Sequence, residues 1–423
     1  MKITNQVNEL LQAGVISDET AAAIEAFYLN KKNEQPNQSR LIIAFGILGA
    51  TLIGLGLILI IAHNWDNLSR LVKTFFAFLP LAIGQAFGLY VLYRKYESIA
   101  WREGAAVFIF FGVAASIAMV SQVYNIPGDM ADFLLTWMLL VLPLFYLLRS
   151  SITAMLYLIG ITTYAIVAGY FKSATDPVWT FWLLLVALLP YYYYLLQRKP
   201  GGNFTAFFHW LLPASLIICL GLFAEKSEEL MLFAYLLLLA LFYLIGNHSR
   251  FNALKLASNG YLVIGLLGSL GILLFLSFDD FWQSWVKMSI VELFSQPESL
   301  LVALLFSLAV YFLFLKKWQA TPLLWLSVFV FIIFIVGLYF VLVPLILVNI
   351  FYLIIGIYYV KQGADDDHLG LLNFGLLIVT SLVIARFFDA NLSFVIRGLL
   401  FLLVGSGFFI ANYQMLKKRK IVK

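Results

Sequence analysis

The chain is expected to be an all-α polytopic membrane protein: about fourteen transmembrane helices, both termini cytoplasmic, and a short cytoplasmic helical pair before the first span. Three observations predict this. Apolar residues make up 63% of the 423 residues and charged ones only 12%, about half the roughly 25% of an average soluble domain. The apolar residues gather into runs of about 17 to 25 residues, the length a helix rising about 1.5 Å per residue needs to cross a hydrocarbon core of about 30 Å. Lys and Arg fall unevenly between the alternate connections of those runs, as the positive-inside rule expects.

The first 32 residues read as a helical hairpin, residues 4–13 and 18–31. Gly14 stops the first helix, and Ser17 caps the second, with Asp18 and Glu19 where the helix dipole favours acids. Leu10, Leu11, Val15, Ile16, Ile24 and Phe27 supply an apolar seam. A pair this small does not make a core alone, so residues 4–31 are expected to pack on a partner protein, on another copy or on the cytoplasmic loops. Residues 33–40, with Pro36 and mostly polar side chains, read as a linker. No cleavable signal is expected, because the first apolar run is too long for one and its flank is acidic.

The spans then follow in order: 41–62, 71–92, 104–123, 131–148, 152–171, 178–196, 205–224, 230–246, 256–277, 299–315, 321–340, 342–360, 370–388 and 394–412. Long continuous runs exclude the alternating pattern of an outer-membrane barrel. With the N-terminus inside, twenty of the 27 Lys and Arg lie on inner segments and seven on outer ones. The net charge of +5 therefore reflects topology. The basic tail at 413–423 is expected to meet anionic lipid headgroups, and no nucleic-acid site is expected. The single cysteine, Cys219, lies within a span, which excludes an intramolecular disulfide and a cysteine metal cluster.

Polar interruptions carry the search for a site. A charge at the centre of the bilayer costs about 2.5 to 3.5 kcal/mol, so such residues need partners, water or a task. Three corners all fall at outer connections: His63, Asn64 and Asp66 with Lys73; Gln122, Tyr124, Asn125 and Asp129; and Arg386, Asp389 and Arg397. These eleven residues are the candidate binding site. Two corners share a design, since Asn67-Leu68-Ser69 precedes Lys73 by one helical turn as Asn391-Leu392-Ser393 precedes Arg397. In each the Ser is expected to cap the outgoing helix, and Asp66 and Asp389 to offset a cation placed against the helix dipole. Within the spans, Gly265, Gly268 and Gly271 suit close helix contacts, while Gln85, Asn349 and Asn373 suit interhelical hydrogen bonds.

The segment Leu10 to Ser17, the corner His63 to Asp66, and Gln122 to Asp129 followed by Trp137 and Pro143 together resemble the bacterial membrane proteins grouped as the domain of unknown function 2157. The resemblance covers about residues 5–150. It implies an integral protein of a bacterial inner membrane and brings no activity or site assignment. No phosphate-binding loop, His-Glu-x-x-His motif, nucleophile elbow or four-cysteine cluster is present, so no cofactor or metal is expected. Three functions follow as expectations. The first is a transporter or flippase-like protein for a small or amphiphilic solute with a polar site at its outer face. The second is a non-catalytic envelope or scaffold protein acting through its N-terminal helices. The third is an enzyme on a lipid-linked substrate with the outer carboxylates as acid or base.

Overall fold

Apolar runs bounded by capping residues become helices here, as lipid requires: backbone N–H and C=O groups must be satisfied within the segment itself. The computed structural model describes residues 67–171, 179–224, 226–314 and 321–387, together with 7, 10, 11, 13–24 and isolated positions between 393 and 409. The chain divides into two units, residues 1–76 and 77–423.

In the first unit, Gly14 has φ +67°, and Val15 N donates to Leu10 O at 3.0 Å. Ser17 Oγ accepts from Thr20 N at 3.3 Å ahead of a helix over 18–24. The expected helix stop and cap are both borne out. Ser69 likewise caps the next helix, its Oγ accepting from Val72 N at 3.4 Å.

That helix is α1 (Arg70–Arg94), and it runs from the first unit into the second. It is followed by α2 (Ile99–Tyr124), α3 (Met130–Leu147), α4 (Ser151–Gly169), α5 (Trp179–Arg198), α6 (Asn203–Leu220) and α7 (Glu228–Gly246). Then come α8 (Gly260–Phe275), two short helices α9 (Asp280–Trp285) and α10 (Ile290–Ser295), and α11 (Pro297–Phe314). The series closes with α12 (Leu326–Gly337), α13 (Leu342–Asp365) and α14 (Leu369–Phe387). Among the described residues no strand occurs. Among the described residues, ten helices are long and apolar enough to cross a membrane, and two shorter apolar helices run Gly260–Phe275 and Pro322–Gly337. The expected spans 41–62 and 394–412 lie outside the continuously described residues.

The core forms around α7, whose apolar window is the only one mostly buried inside the protein among the described candidate spans, at 78% against 44% or less for the others. It packs on α8, α11 and α12. Gly265 is what lets α8 approach: a Cβ there would overlap Tyr243 N and Leu239 O of α7. Gly268 faces Leu239 in the same way, whereas Gly271 meets nothing. The three-glycine contact face is thus corrected to two residues, because a spacing of three drifts around a helix of 3.6 residues per turn.

The connection after α8 folds back into the core, which the apolar-run pattern does not foretell. Trp282 and Trp285 of α9 are fully buried against Phe233 of α7, and Trp285 also meets Phe334 of α12. Their indole N–H groups donate to Leu276 O at 2.8 Å and Phe334 O at 3.2 Å. Asp279, Asp280, Gln283 and Lys287 interrupt the apolar run, so the segment reads in sequence as an outer loop.

Candidate functional site

α1, α2 and α3 enclose a groove within the second unit. α2 ends where Asn125 adopts the left-handed conformation (φ 50°, ψ 45°) and donates its N–H to Ser121 O. Asparagine tolerates that conformation better than most side chains. After Pro127 and Gly128, Asp129 caps α3 by accepting from Asp132 N at 2.9 Å. This corner forms the mouth of a cavity of about 530 Å³, where Ser121, Asp129, Asp132 and Thr136 contribute oxygens and Phe78, Leu81, Val113 and Leu140 form apolar walls. Ser116 also lines it, but its hydroxyl donates to Ala77 O at 2.8 Å and is thereby satisfied.

A second cavity, of about 370 Å³, continues along the same three helices past Gln85, Gly88, Leu89 and Leu92 of α1 to Leu144 and Leu147 of α3 and Leu148 just after it. The two share Leu81, Val113 and Leu140 as a common waist. Gly84 and Gly88 of α1 face Phe108 and Ile109 of α2, and at Gly112 of α2 an added Cβ would lie 3.4 Å from Leu81 Cα. Pro80 in α1 and Pro143 in α3 each remove a helical hydrogen bond beside the groove. The result is a channel-like recess with carboxylates at one end and hydrocarbon along its length.

Of the expected site residues, Asp129 lines this groove, while Gln122, Tyr124 and Asn125 are exposed on the adjoining end of α2. Lys73 is half-buried in the first turns of α1. His63, Asn64, Asp66, Asp389 and Arg397 lie outside the described residues. Trp137 is half-buried and donates to Phe110 O at 2.9 Å.

Arg386 belongs to a different cluster. Its guanidinium donates to Ser277 O at 2.7 Å and to Ser277 Oγ at 3.1 Å, and lies 4.7 Å from the centre of the Phe278 ring. Asn349 donates to the same Ser277 carbonyl at 3.2 Å. Both groups satisfy the C-terminal end of α8, where orphan carbonyls and the helix dipole favour a cation. Asn349 thus makes the expected interhelical bond, whereas Gln85 and Asn373 are exposed.

Two buried carboxylates escaped the sequence reading. Glu103, near the start of α2, is 7% exposed and accepts from Ser150 Oγ, from Ser151 N at 2.8 Å and from Ile152 N at 3.0 Å, closing the N-terminus of α4. Glu298, at the start of α11, accepts from Lys226 N at 2.6 Å and Ser227 N at 3.2 Å, closing the N-terminus of α7. Each lies just before an apolar run, where it reads as an ordinary flanking acid. Only the packing of a neighbouring helix turns it into a cap.

The groove lies wholly within the segment that matches a protein family. Residues 8–154 match the family described as predicted membrane protein (DUF2157). The resemblance seen in the residues is borne out over that segment, which contains every lining residue of both cavities. No curated protein and no solved structure matches the chain. It is an integral membrane protein with many apolar helices.

Proposed function

We propose that the protein binds an amphiphile between α1, α2 and α3 and moves it along that groove from one leaflet to the other. The observation that carries this reading is the shared waist: two cavities with polar groups at one end and apolar walls throughout meet at Leu81, Val113 and Leu140. A polar mouth on an apolar trough matches a molecule with a head and a tail, and a small hydrophilic solute would gain nothing from the trough. The membrane in this reading is a bacterial inner membrane, crossed fourteen times with both termini inside, which the distribution of Lys and Arg supports.

Leu140 provides the test, because it lines both cavities and is 57% exposed, so a larger side chain can be accommodated without overpacking a core. In proteoliposomes loaded with a fluorescent phospholipid, the wild-type protein should speed transbilayer movement and Leu140→Trp should slow it several-fold. Equal rates with wild type, with Leu140→Trp and with empty vesicles would sink the proposal. A second reading, recruitment of a partner by the N-terminal helices, is supported by the separate first unit and its exposed Leu10 and Val15. It predicts that removing residues 1–35 abolishes function while lipid movement is unchanged.

A further inference from the structure

The far end of the groove closes at Leu92, Leu147 and Leu148, and the next residue of the chain is Arg149. Arg149 and Arg102 both place their guanidinium groups over the ring of Tyr96, at 5.6 and 5.2 Å from its centre. Two cations on one aromatic ring repel each other, and cation–π attraction offsets only part of that. Neither makes an ion pair with a carboxylate among the described residues, and Arg102 Nε is buried without a hydrogen-bond acceptor. The nearest acid in sequence, Glu103, spends its oxygens on the N-terminus of α4. Such a pair lacks one thing, a shared oxyanion. Guanidinium groups bind phosphate through paired N–H donors in a fixed fork, which satisfies both charges and the buried N–H together.

The backbone points the same way. Arg149 has φ +48°, and Ser150 N donates to Phe145 O at 3.2 Å, so α3 ends in a left-handed turn at a position where glycine would be free of steric cost. Asn125 and Asp367, the other described non-glycine residues with positive φ, are of the types that tolerate it. Arginine is not; Arg149 is exposed and directly follows Leu148, a lining residue of the groove.

We propose that Arg102 and Arg149 clamp the phosphate of a phospholipid headgroup whose acyl chain lies in the groove beyond Leu147 and Leu148. The assignment rests on the amphiphile reading above and adds the chemistry of the head. It is tested with the full chain in phosphatidylcholine nanodiscs, into which dioleoyl phosphatidic acid or its uncharged counterpart dioleoylglycerol is titrated, with retained lipid counted by native mass spectrometry. Wild type should retain phosphatidic acid at least about tenfold better than dioleoylglycerol, the size of one charge-assisted hydrogen-bonding partner. Arg102→Gln and Arg149→Gln should each erode that preference, and Arg149→Lys should keep part of it. Arg149→Gly is the variant that excludes misfolding as the cause: it should lose the preference while its thermal unfolding midpoint holds or rises, since glycine suits the left-handed turn.

An unchanged preference in Arg149→Gly overturns the clamp. So does a wild type that retains both lipids equally, and in that case the groove reading survives. Retention of neither lipid overturns the groove reading together with the clamp. Saturable binding of inorganic phosphate that depends on both arginines, without any preference for phosphatidic acid, would assign the site to a soluble phosphate and overturn the lipid assignment.

Discussion

At the scale of single residues, the structure is held by polar atoms that end helices. Asp129 combines two demands, since its carboxylate caps α3 and also faces the groove mouth. The two separate by substitution: Asp129→Ala should cost about 1 kcal/mol of stability, whereas Asp129→Asn keeps an N-cap oxygen and should cost little. Thermal unfolding in detergent measures the cap, and lipid movement by the Asn variant measures the charge. Glu103 presents a harsher case. Leucine there would leave Ser151 N and Ile152 N without their acceptor, while Ser150 Oγ keeps Thr153 Oγ1, a loss of about 3 kcal/mol, with Glu103→Gln intermediate. Equal midpoints for wild type and Glu103→Leu would show that α4 finds another cap.

At the scale of elements, α9 and α10 are where structure and sequence part most. Burial of Trp282 and Trp285 should make either Trp→Ala change cost about 3 to 5 kcal/mol, although the segment reads as a loop. α10 is fastened differently, by a capping box in which Ser289 Oγ accepts from Glu292 N at 3.2 Å and Ser289 N donates to Glu292 Oε2 at 2.9 Å. The Ser289 amide, and then its hydroxyl, hold the Glu292 carboxyl below its usual range. A depressed carboxylate stabilises the fold above its unfolded pKa, and that help is lost as pH falls through the lower folded value. Protection of the amides of residues 289–295, measured against their intrinsic exchange at each pH, should therefore fall on acidification below the ordinary glutamate range. Glu292→Gln keeps an N3 oxygen for the Ser289 amide and should lose that pH dependence.

The same elements show what was legible. Period, length and caps are local, so the span positions, Gly14, Ser17, Ser69 and Asp129 could all be read from neighbouring residues. The carboxylates at 103 and 298 act on helices about 50 and 70 positions away, and the groove exists only where α1 leaves space over α2 and α3. Neither leaves a local periodic signature. Arg386 was legible as a costly charge, but its partner Ser277 was not, because a lone serine at the end of an apolar run has many ordinary explanations.

At the scale of the whole molecule, the groove has a direction, and orientation decides what that direction means. In the orientation proposed above, with both termini inside, the Asp129 end would face outside and the arginine clamp the cytoplasmic leaflet, where anionic phospholipid headgroups are enriched. Two positions can report this without disturbing the fold. Glu97, in the α1–α2 turn, is exposed, and an added Cβ at Gly128 meets nothing within 4 Å and needs no positive φ. In a Cys219→Ala background, a membrane-impermeant maleimide added to intact cells should label Gly128→Cys and spare Glu97→Cys until the membrane is opened. The reverse pattern would overturn the assigned orientation and put the arginines at the outer leaflet. The groove would then take its phosphate-bearing ligand from outside, and the same residues would serve uptake in place of export.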